Sequence, residues 1–286
     1  MHRLLSSVLR LSAALPLSVL HGVGSLLGWA IYGISPNYRR HLRANLAQAG
    51  YSDASTRRRA IASAGRMLAE APALWFRKHE DVAALVREVT GVEAAYAARE
   101  RGEALLFLTP HMGCFEVTAQ YMAHKAMALG VSVTVLYRPS RIAWLEPVMQ
   151  EGRSRANVRL APADVSGVRQ IFAALREREP VGLLPDQVPS RGEGEWAQFF
   201  GRPAYTMTLA AKLAQRKGVA CFLAYARRLP RGRGYAIVLR PYPPEIPGET
   251  PARRLNRALE SLVRECPEQY LWGYNRYKVP KGVKAP

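Results

Sequence analysis

The sequence predicts an α/β fold: a mixed, mostly parallel sheet flanked by helices and preceded by an N-terminal apolar anchor helix. From Gly91 onward, short apolar segments alternate with segments of helical periodicity, which is the pattern of successive βαβ units. Residues 11–34 form an apolar run that is long enough to span a bilayer. With 286 residues, 49% of them hydrophobic, the chain can bury the core of one large domain.

The N-terminal apolar run is open to three interpretations. Its basic start, with Arg3 and Arg10, fits a signal peptide, although the apolar stretch is long for one. Its length fits a spanning helix, whereas Pro16, His21 and four glycines fit a tilted helix or one lying in the membrane interface. We favour an uncleaved membrane anchor over residues 1–35, with residues 36–286 forming one domain on the cytoplasmic side.

Two basic helices are expected after the anchor. The first covers residues 36–50, with Asn37 as N-cap, and its arginines would lie among lipid headgroups or simply face solvent. The second covers residues 54–78, where Pro72 should kink or interrupt the helix.

The alternating part of the chain predicts the elements of the sheet. Strands are expected at 104–108, 131–136, 158–160 and 181–184, and helices at 92–101, 113–127, 142–153 and 165–177. Residues 189–205 predict either a flap over an apolar ligand or an ordinary loop whose aromatic residues enter the core. A helix at 206–217, an antiparallel pair at 218–227 and 235–241, and a helix at 251–266 complete the domain.

Polar residues follow three of the predicted strands. His111 comes after the first, Arg138 after the second, and Asp186 and Gln187 after the last. Because the carboxyl ends of parallel strands lie along one edge of a sheet, we expect these side chains to share a cleft.

The spacing of His111 and Glu116 suggests a catalytic pair. If the helix starts near Gly113, the histidine lies on the preceding turn and can fold back toward the carboxylate in the first helical turn. A carboxylate that accepts one imidazole N–H leaves the other nitrogen free as a base for a substrate hydroxyl. The alternative is a His and a Glu that merely cap a helix.

The charge of the chain indicates an anionic partner. The formal net charge is +19 and the pI is about 10.4, which suits nucleic acid, anionic lipid or an acidic protein. Helix-turn-helix, zinc and RNP-type signatures are missing, and the apolar N-terminal run argues against a nucleic-acid partner. Three widely spaced cysteines form neither a disulfide framework nor a metal motif. Cys114 is predicted to be a small buried residue that packs in the core.

Taken in order, these motifs resemble a known family, the lipid A biosynthesis acyltransferases. These are the late lauroyl and myristoyl transferases of Gram-negative bacteria, within the lysophospholipid acyltransferase-like superfamily. The resemblance covers most of the chain. It rests on the N-terminal apolar helix, Pro110-His111 followed by Glu116, Tyr137-Arg138-Pro139, Asp186-Gln187, Phe199-Phe200-Gly201, and Trp272 with Arg276-Tyr277-Lys278.

The resemblance implies a glycerolipid acyltransferase-like fold and transfer of an acyl chain from acyl carrier protein to a hydroxyl of a phosphorylated glycolipid. The reaction would take place at the cytoplasmic face of the bacterial inner membrane, without a metal or organic cofactor. His111 would be the general base and Glu116 would orient it. Arg138 would bind a phosphate or the oxyanion, and Asp186, Gln187 and Arg276 are further candidates for substrate binding.

Two other activities stay open at this stage. The same chemistry could serve another acceptor, such as a lysophospholipid, an ornithine-type lipid or a different glycolipid. A hydrolase that uses Cys114 or a serine is the second, although the sequence has no Gly-x-Ser-x-Gly elbow.

Overall fold

A mixed β-sheet forms the centre of the fold in the computed structural model, which describes residues 2–140, 142–154 and 157–286. The strands are β1 (Val86–Thr90), β2 (Ala104–Leu108), β3 (Val133–Tyr137), β4 (Val158–Pro162), β5 (Val181–Leu183), β6 (Gly194–Phe199), β7 (Arg202–Met207), β8 (Val219–Arg228) and β9 (Tyr235–Pro241). Within these residues, seven strands form the main sheet in the order β1-β9-β8-β2-β5-β3-β4, and β6 and β7 form a separate hairpin. The pairings of the main sheet are parallel apart from the antiparallel pair β8–β9, so the predicted fold class is confirmed.

Helices cover both faces of this sheet. They are α1 (His2–Ala13), α2 (Leu17–Ile34), α3 (Pro36–Gln48), α4 (Ala54–Phe76), α5 (His79–Ala84), α6 (Glu93–Glu100), α7 (Phe115–Met127), α8 (Leu145–Arg153), α9 (Val165–Arg176), α10 (Thr208–Ala214) and α11 (Pro251–Glu265). Successive side chains of a strand point to opposite faces, so β2 serves two cores. Leu106 and Leu108 pack with α3, α9, α10 and α11, whereas Leu105 and Phe107 pack with α2, α5, α6 and α7.

Most of the predicted elements occur with shifts of a few residues at their ends. Strand β1 was not predicted, because it is a largely exposed edge strand with charged residues that alternate poorly. Ser35, rather than the predicted Asn37, is the N-cap of α3, since its side chain accepts a hydrogen bond from the Tyr38 amide. The flap interpretation of 189–205 is wrong: the segment is mainly the β6–β7 hairpin, and Phe199 and Phe200 are buried in the core.

The N-terminal apolar run forms two helices, separated at residues 14–16. Helix α2 is long and apolar enough to cross a membrane by length and composition. One side of this helix is nonetheless buried against the rest of the domain. The buried residues are Leu17, Leu20, His21, Gly24 and Gly28. Its other side is apolar and exposed, with residues such as Val23, Leu26 and Ile34.

Glycines bring α2 and α4 into close contact. A Cβ atom added at Gly28 would lie 2.2 Å from the carbonyl oxygen of Ile61, and one added at Gly65 would lie 1.9 Å from that of Gly24. Both distances are far below van der Waals contact, so the crossing requires residues without a side chain. This contact makes α2 an integral part of the folded domain.

The α2–α4 crossing gives the first testable prediction. Gly28→Ala should lower the free energy of unfolding by about 1–3 kcal/mol, because the new methyl group forces the two backbones apart. Gly33→Ala is the matched control on the same helix, since nothing lies within 4 Å of its added Cβ. This control should be neutral or stabilising by up to about 1 kcal/mol through helix propensity. Thermal unfolding of both variants measures the difference, and equal melting temperatures would contradict the close crossing.

Candidate functional site

A cavity of about 320 Å³ lies where β2, β5 and β3 end. Its lining combines a polar set with an apolar set. The polar side chains include those of His111, Glu116, Arg138, Arg153 and Gln187. The apolar side chains include Val135, Leu136, Met149, Val158, Leu160 and Leu184. His111, Arg138 and Gln187 follow three different strands and meet here, because those strands run parallel and end at one edge.

The turn that carries His111 connects β2 to α7. Gly113 adopts a φ of +57°, in the left-handed region that favours glycine. A Cβ at this position would lie 1.9 Å from the Ala226 carbonyl oxygen, so the turn passes directly against β8. The chain then enters α7 at Phe115, which leaves the histidine before the helix at the carboxyl end of a buried strand.

Asp186 is buried and binds the imidazole of His111. Nδ1 of His111 lies 2.7 Å from one carboxylate oxygen, and the backbone N–H of His111 donates to the other over 3.0 Å. Burial alone would raise the pKa of Asp186, but the nearby His111 and its hydrogen bonds outweigh burial and lower that pKa below the usual value. The carboxylate is therefore charged and fixes which imidazole nitrogen carries the proton when the ring is neutral.

Nε2 of His111 is the nitrogen left for chemistry. It lies 3.3 Å from the side-chain nitrogen of Gln187, which also lines the cavity. With the proton on Nδ1, Nε2 is an acceptor and the Gln187 amide donates to it. The pair formed by His111 and Asp186 is thus arranged as a base with an orienting carboxylate, the geometry in which an imidazole removes a proton from a hydroxyl.

Glu116 forms no hydrogen bond with His111 among the residues that the structure describes, so the predicted contact between the two side chains is wrong. Its carboxylate is bound by Arg153, whose Nε lies 2.9 Å from Oε1 and whose Nη2 makes a second contact. The physical reason is that α7 begins at Phe115, which directs the next side chain toward the end of α8, while Asp186 already occupies Nδ1.

Arg153 is a cavity residue that the sequence did not reveal. Its guanidinium lies over the rings of Trp75 and Tyr137, at 5.7 and 5.8 Å from the ring centroids. Burial would lower the pKa of Arg153, but the charge of Glu116 outweighs it and raises the pKa. A lone arginine near the end of a predicted helix carries no motif, so no sequence signal singles it out.

Arg138 is the exposed cation of the cavity. It directly follows β3, and with the residues that the structure describes it forms no ion pair or side-chain hydrogen bond. Its positive charge is thus available to an anionic group of a ligand, which a fully paired arginine would not offer.

Arg276 is buried away from the cavity, which corrects the expectation that it binds substrate. Only 2% of the residue is exposed. Its guanidinium donates to the Tyr205 carbonyl oxygen at 2.8 Å and to the Thr206 hydroxyl at 2.9 Å, and it lies 5.1 Å from the centroid of the Phe199 ring. It therefore ties the C-terminal segment to the β6–β7 hairpin.

Cys114 is the thiol of the turn that carries His111. Cys114 is buried, and burial raises the pKa of its thiol well above the usual value, which suppresses the thiolate that a nucleophile needs. Among the described residues, no group of three or more His, Cys, Asp or Glu side chains is arranged to hold a metal ion.

Comparison with known proteins decides the family. The family profile of bacterial lipid A biosynthesis acyltransferases matches residues 3–279. The chain belongs to this family. It is 26% identical over 228 residues to a lipid A biosynthesis lauroyltransferase of Escherichia coli (strain K12), covering 78% of this chain and 72% of the relative. A palmitoleoyltransferase of the same organism is 26% identical over 219 residues, covering 76% and 69% of the two chains. A myristoyltransferase, also from that strain, is 26% identical over 192 residues, covering 64% and 56%.

For a lipid A biosynthesis acyltransferase, the cavity has a suitable combination of surfaces. Its apolar wall suits a fatty acyl chain, and its cations suit an anionic glycolipid. The imidazole of His111 lies among the polar side chains of this lining.

The burial of Arg276 predicts a structural role for this residue. Arg276→Ala should destabilise the protein by about 1–3 kcal/mol, because the Tyr205 carbonyl oxygen loses its buried donor. In the folded fraction, the KM for the lipid acceptor should stay unchanged. Arg202→Ala, a change of an exposed arginine near Tyr277, is the control and should cost less than about 0.5 kcal/mol. Chemical denaturation and steady-state kinetics test both. A raised KM at unaltered stability would restore the substrate-binding role.

Proposed function

We propose that this protein transfers a fatty acyl group from acyl carrier protein to a hydroxyl of a phosphorylated lipid A precursor. The observation that carries the proposal is the His111–Asp186 pair, set in a cavity that has both an apolar wall and free positive charge. Membership of the lipid A biosynthesis acyltransferases supports the reaction class.

The proposed reaction uses the two nitrogens of His111 in different roles, because Asp186 accepts the proton of Nδ1 and Nε2 is left as the base. Nε2 of His111 removes the proton of the acceptor hydroxyl as its oxygen attacks the thioester carbonyl carbon. Asp186 stabilises the imidazolium that forms. When the tetrahedral intermediate collapses, the carbon–sulfur bond breaks, and the thiolate of the carrier leaves and takes the proton from the imidazolium. No acyl-enzyme forms.

The oxyanion needs a donor close to the base. In the structure the Gln187 amide donates to Nε2 over 3.3 Å, so the acceptor hydroxyl must displace it, and the released N–H can then donate to the thioester oxygen beside it. We assign this oxyanion role to Gln187. The charge of Arg153 is balanced by Glu116, so we assign the exposed Arg138, which is unpaired in the described part of the chain, to a phosphate of the acceptor.

The partners and location are part of the same proposal. A net charge of +19 suits an acidic carrier protein, a phosphorylated acceptor and an anionic membrane leaflet. The exposed apolar side of α2 suits contact with lipid at the cytoplasmic face of the inner membrane. Among the three interpretations of the N-terminal run, its packing on α4 favours a helix lying against the membrane over one that crosses it.

The function is tested by transfer from a panel of radiolabelled acyl carrier proteins to a phosphorylated tetra-acyl disaccharide. We expect transfer by the wild type and loss of at least about 10²-fold with His111→Ala, since the general base is removed. Transfer only to a lysophospholipid, an ornithine-type lipid or another glycolipid would keep the chemistry and reject the acceptor. Undiminished transfer by a folded His111→Ala protein would refute the mechanism.

Asp186 and Glu116 are distinguished by their amide variants. Asp186→Asn should lower kcat by about 10²–10⁴-fold, because an amide no longer selects the Nδ1–H tautomer or stabilises the imidazolium. Glu116→Gln keeps an acceptor for Arg153, so we expect a loss of less than about tenfold. Single-turnover rates measure both. A larger loss for Glu116→Gln than for Asp186→Asn would return the orienting role to Glu116.

A further inference from the structure

The His111 turn is held by partners that lie far from it in the sequence. Its backbone groups bind the strand end of β8 and the segment after α11. The hydrogen bonds run from Leu271 N to His111 O (3.0 Å), from Gly113 N to Gln269 O (2.9 Å) and from Cys114 N to Ala226 O (2.8 Å). Two backbone groups of the turn have charged partners: the His111 N–H donates to the Asp186 carboxylate, and the Gly113 carbonyl oxygen accepts from the Arg228 guanidinium. Arg228 is therefore one of the groups that bind the turn carrying His111.

Arg228 is the last residue of β8 and is 95% buried. Its guanidinium makes two-pronged contact with Glu70 of α4, with Nη2 at 2.6 Å from Oε1 and Nε at 2.9 Å from Oε2. The remaining nitrogen, Nη1, donates to the Ser63 hydroxyl at 3.0 Å. With each guanidinium nitrogen engaged, the orientation of this side chain is fixed, and so is the donor that it offers to Gly113.

Glu70 extends the connection to the N-terminal helix. Its carboxylate is 1% exposed and accepts from Arg228, from the Tyr235 hydroxyl at 3.0 Å and from Nε2 of His21 at 3.0 Å. Burial would raise the pKa of Glu70, but the Arg228 charge and the hydrogen bonds lower it to about 2. His21 lies on the buried side of α2, the helix whose opposite side is exposed and apolar.

We propose that Arg228 and Glu70 are positioning residues for the acyl transfer, and that His21 joins them to α2. The N-terminal helix is then part of the support of the catalytic turn and not only a membrane contact. The inference rests on the proposed role of His111 as base. The continuous path runs from His21 through Glu70 and Arg228 to the Gly113 carbonyl, two residues after His111. A displacement of about 1 Å at a catalytic group is enough to lower a rate about 10²-fold.

The test uses the full chain in detergent micelles and three variants of α2. His21→Ala removes the donor to Glu70, whereas His21→Gln keeps a nitrogen donor close to the position of Nε2. Leu20→Ala is the matched control, because Leu20 is equally buried on α2 but packs in the apolar core. The readouts are kcat, KM, melting temperature and hydrogen exchange of the segment 109–117.

The expected result separates positioning from stability. His21→Ala should lower kcat about tenfold or more with KM within about twofold, and should speed exchange in segment 109–117. His21→Gln should restore both quantities toward wild type. Leu20→Ala should lower the melting temperature without changing kcat or the exchange of that segment.

Two outcomes would overturn the proposal. The first is that His21→Ala affects kcat and exchange no more than Leu20→Ala at equal melting temperature. The second is that Arg228→Lys, which keeps the charge but loses the planar guanidinium that binds Glu70, Ser63 and the Gly113 carbonyl at once, retains wild-type kcat and protection. Hydrogen exchange needs no substrate, so failure of the acyl-transfer assay itself would count against the proposed function alone.

Discussion

The turn that carries His111 has no regular secondary structure, so its backbone groups need hydrogen-bond partners from other parts of the fold. This requirement determines how the site is built. The segment between β2 and α7 is largely buried, so each N–H and C=O left unpaired would cost about as much as a lost hydrogen bond. The partners come from β8, from Asp186 after β5 and from the segment after α11. The parallel sheet brings these elements together, and the glycine at 113 permits the close approach. The position of His111 thus depends on contacts from several strands of the sheet and from the segment after α11.

The sequence predicted the elements whose pattern is local. Apolar strands ending in polar residues are visible in the chain, and parallel pairing explains why His111, Arg138 and Gln187 meet. The hydrogen-bond partner predicted for the imidazole was wrong, because spacing along the chain shows only local neighbours. Spacing indicated a residue five positions away, whereas the acceptor of the Nδ1 proton is 75 residues further along the chain. Asp186 was a candidate residue for substrate binding, but only the tertiary fold shows that its carboxylate faces His111.

Arginines show the limit of the sequence most clearly. Arg276 lies in a terminal motif yet is buried as a tie between segments, and Arg153 belongs to no motif yet lines the cavity. Whether an arginine pairs with a carboxylate, binds backbone oxygens or stays free depends on groups that are distant in sequence. The apolar N-terminal run is a second case in which the sequence is ambiguous. The buried side of α2 is formed partly by glycines, so its hydropathy pattern looks the same as that of a membrane-spanning helix.

The glycine crossing of α2 and α4 has a practical meaning for handling the protein. Deleting residues 1–34 to obtain a more soluble enzyme would remove apolar surface, but it would also open a channel to water beside Gly65 and Glu70. The ion pair of Glu70 with Arg228 would then be hydrated and lose the rigidity that a dry environment gives it. A better route to solubility is to exchange the outward-facing Val23, Leu26 and Ile34 for polar residues, since they are exposed and lie on the side of α2 away from the crossing.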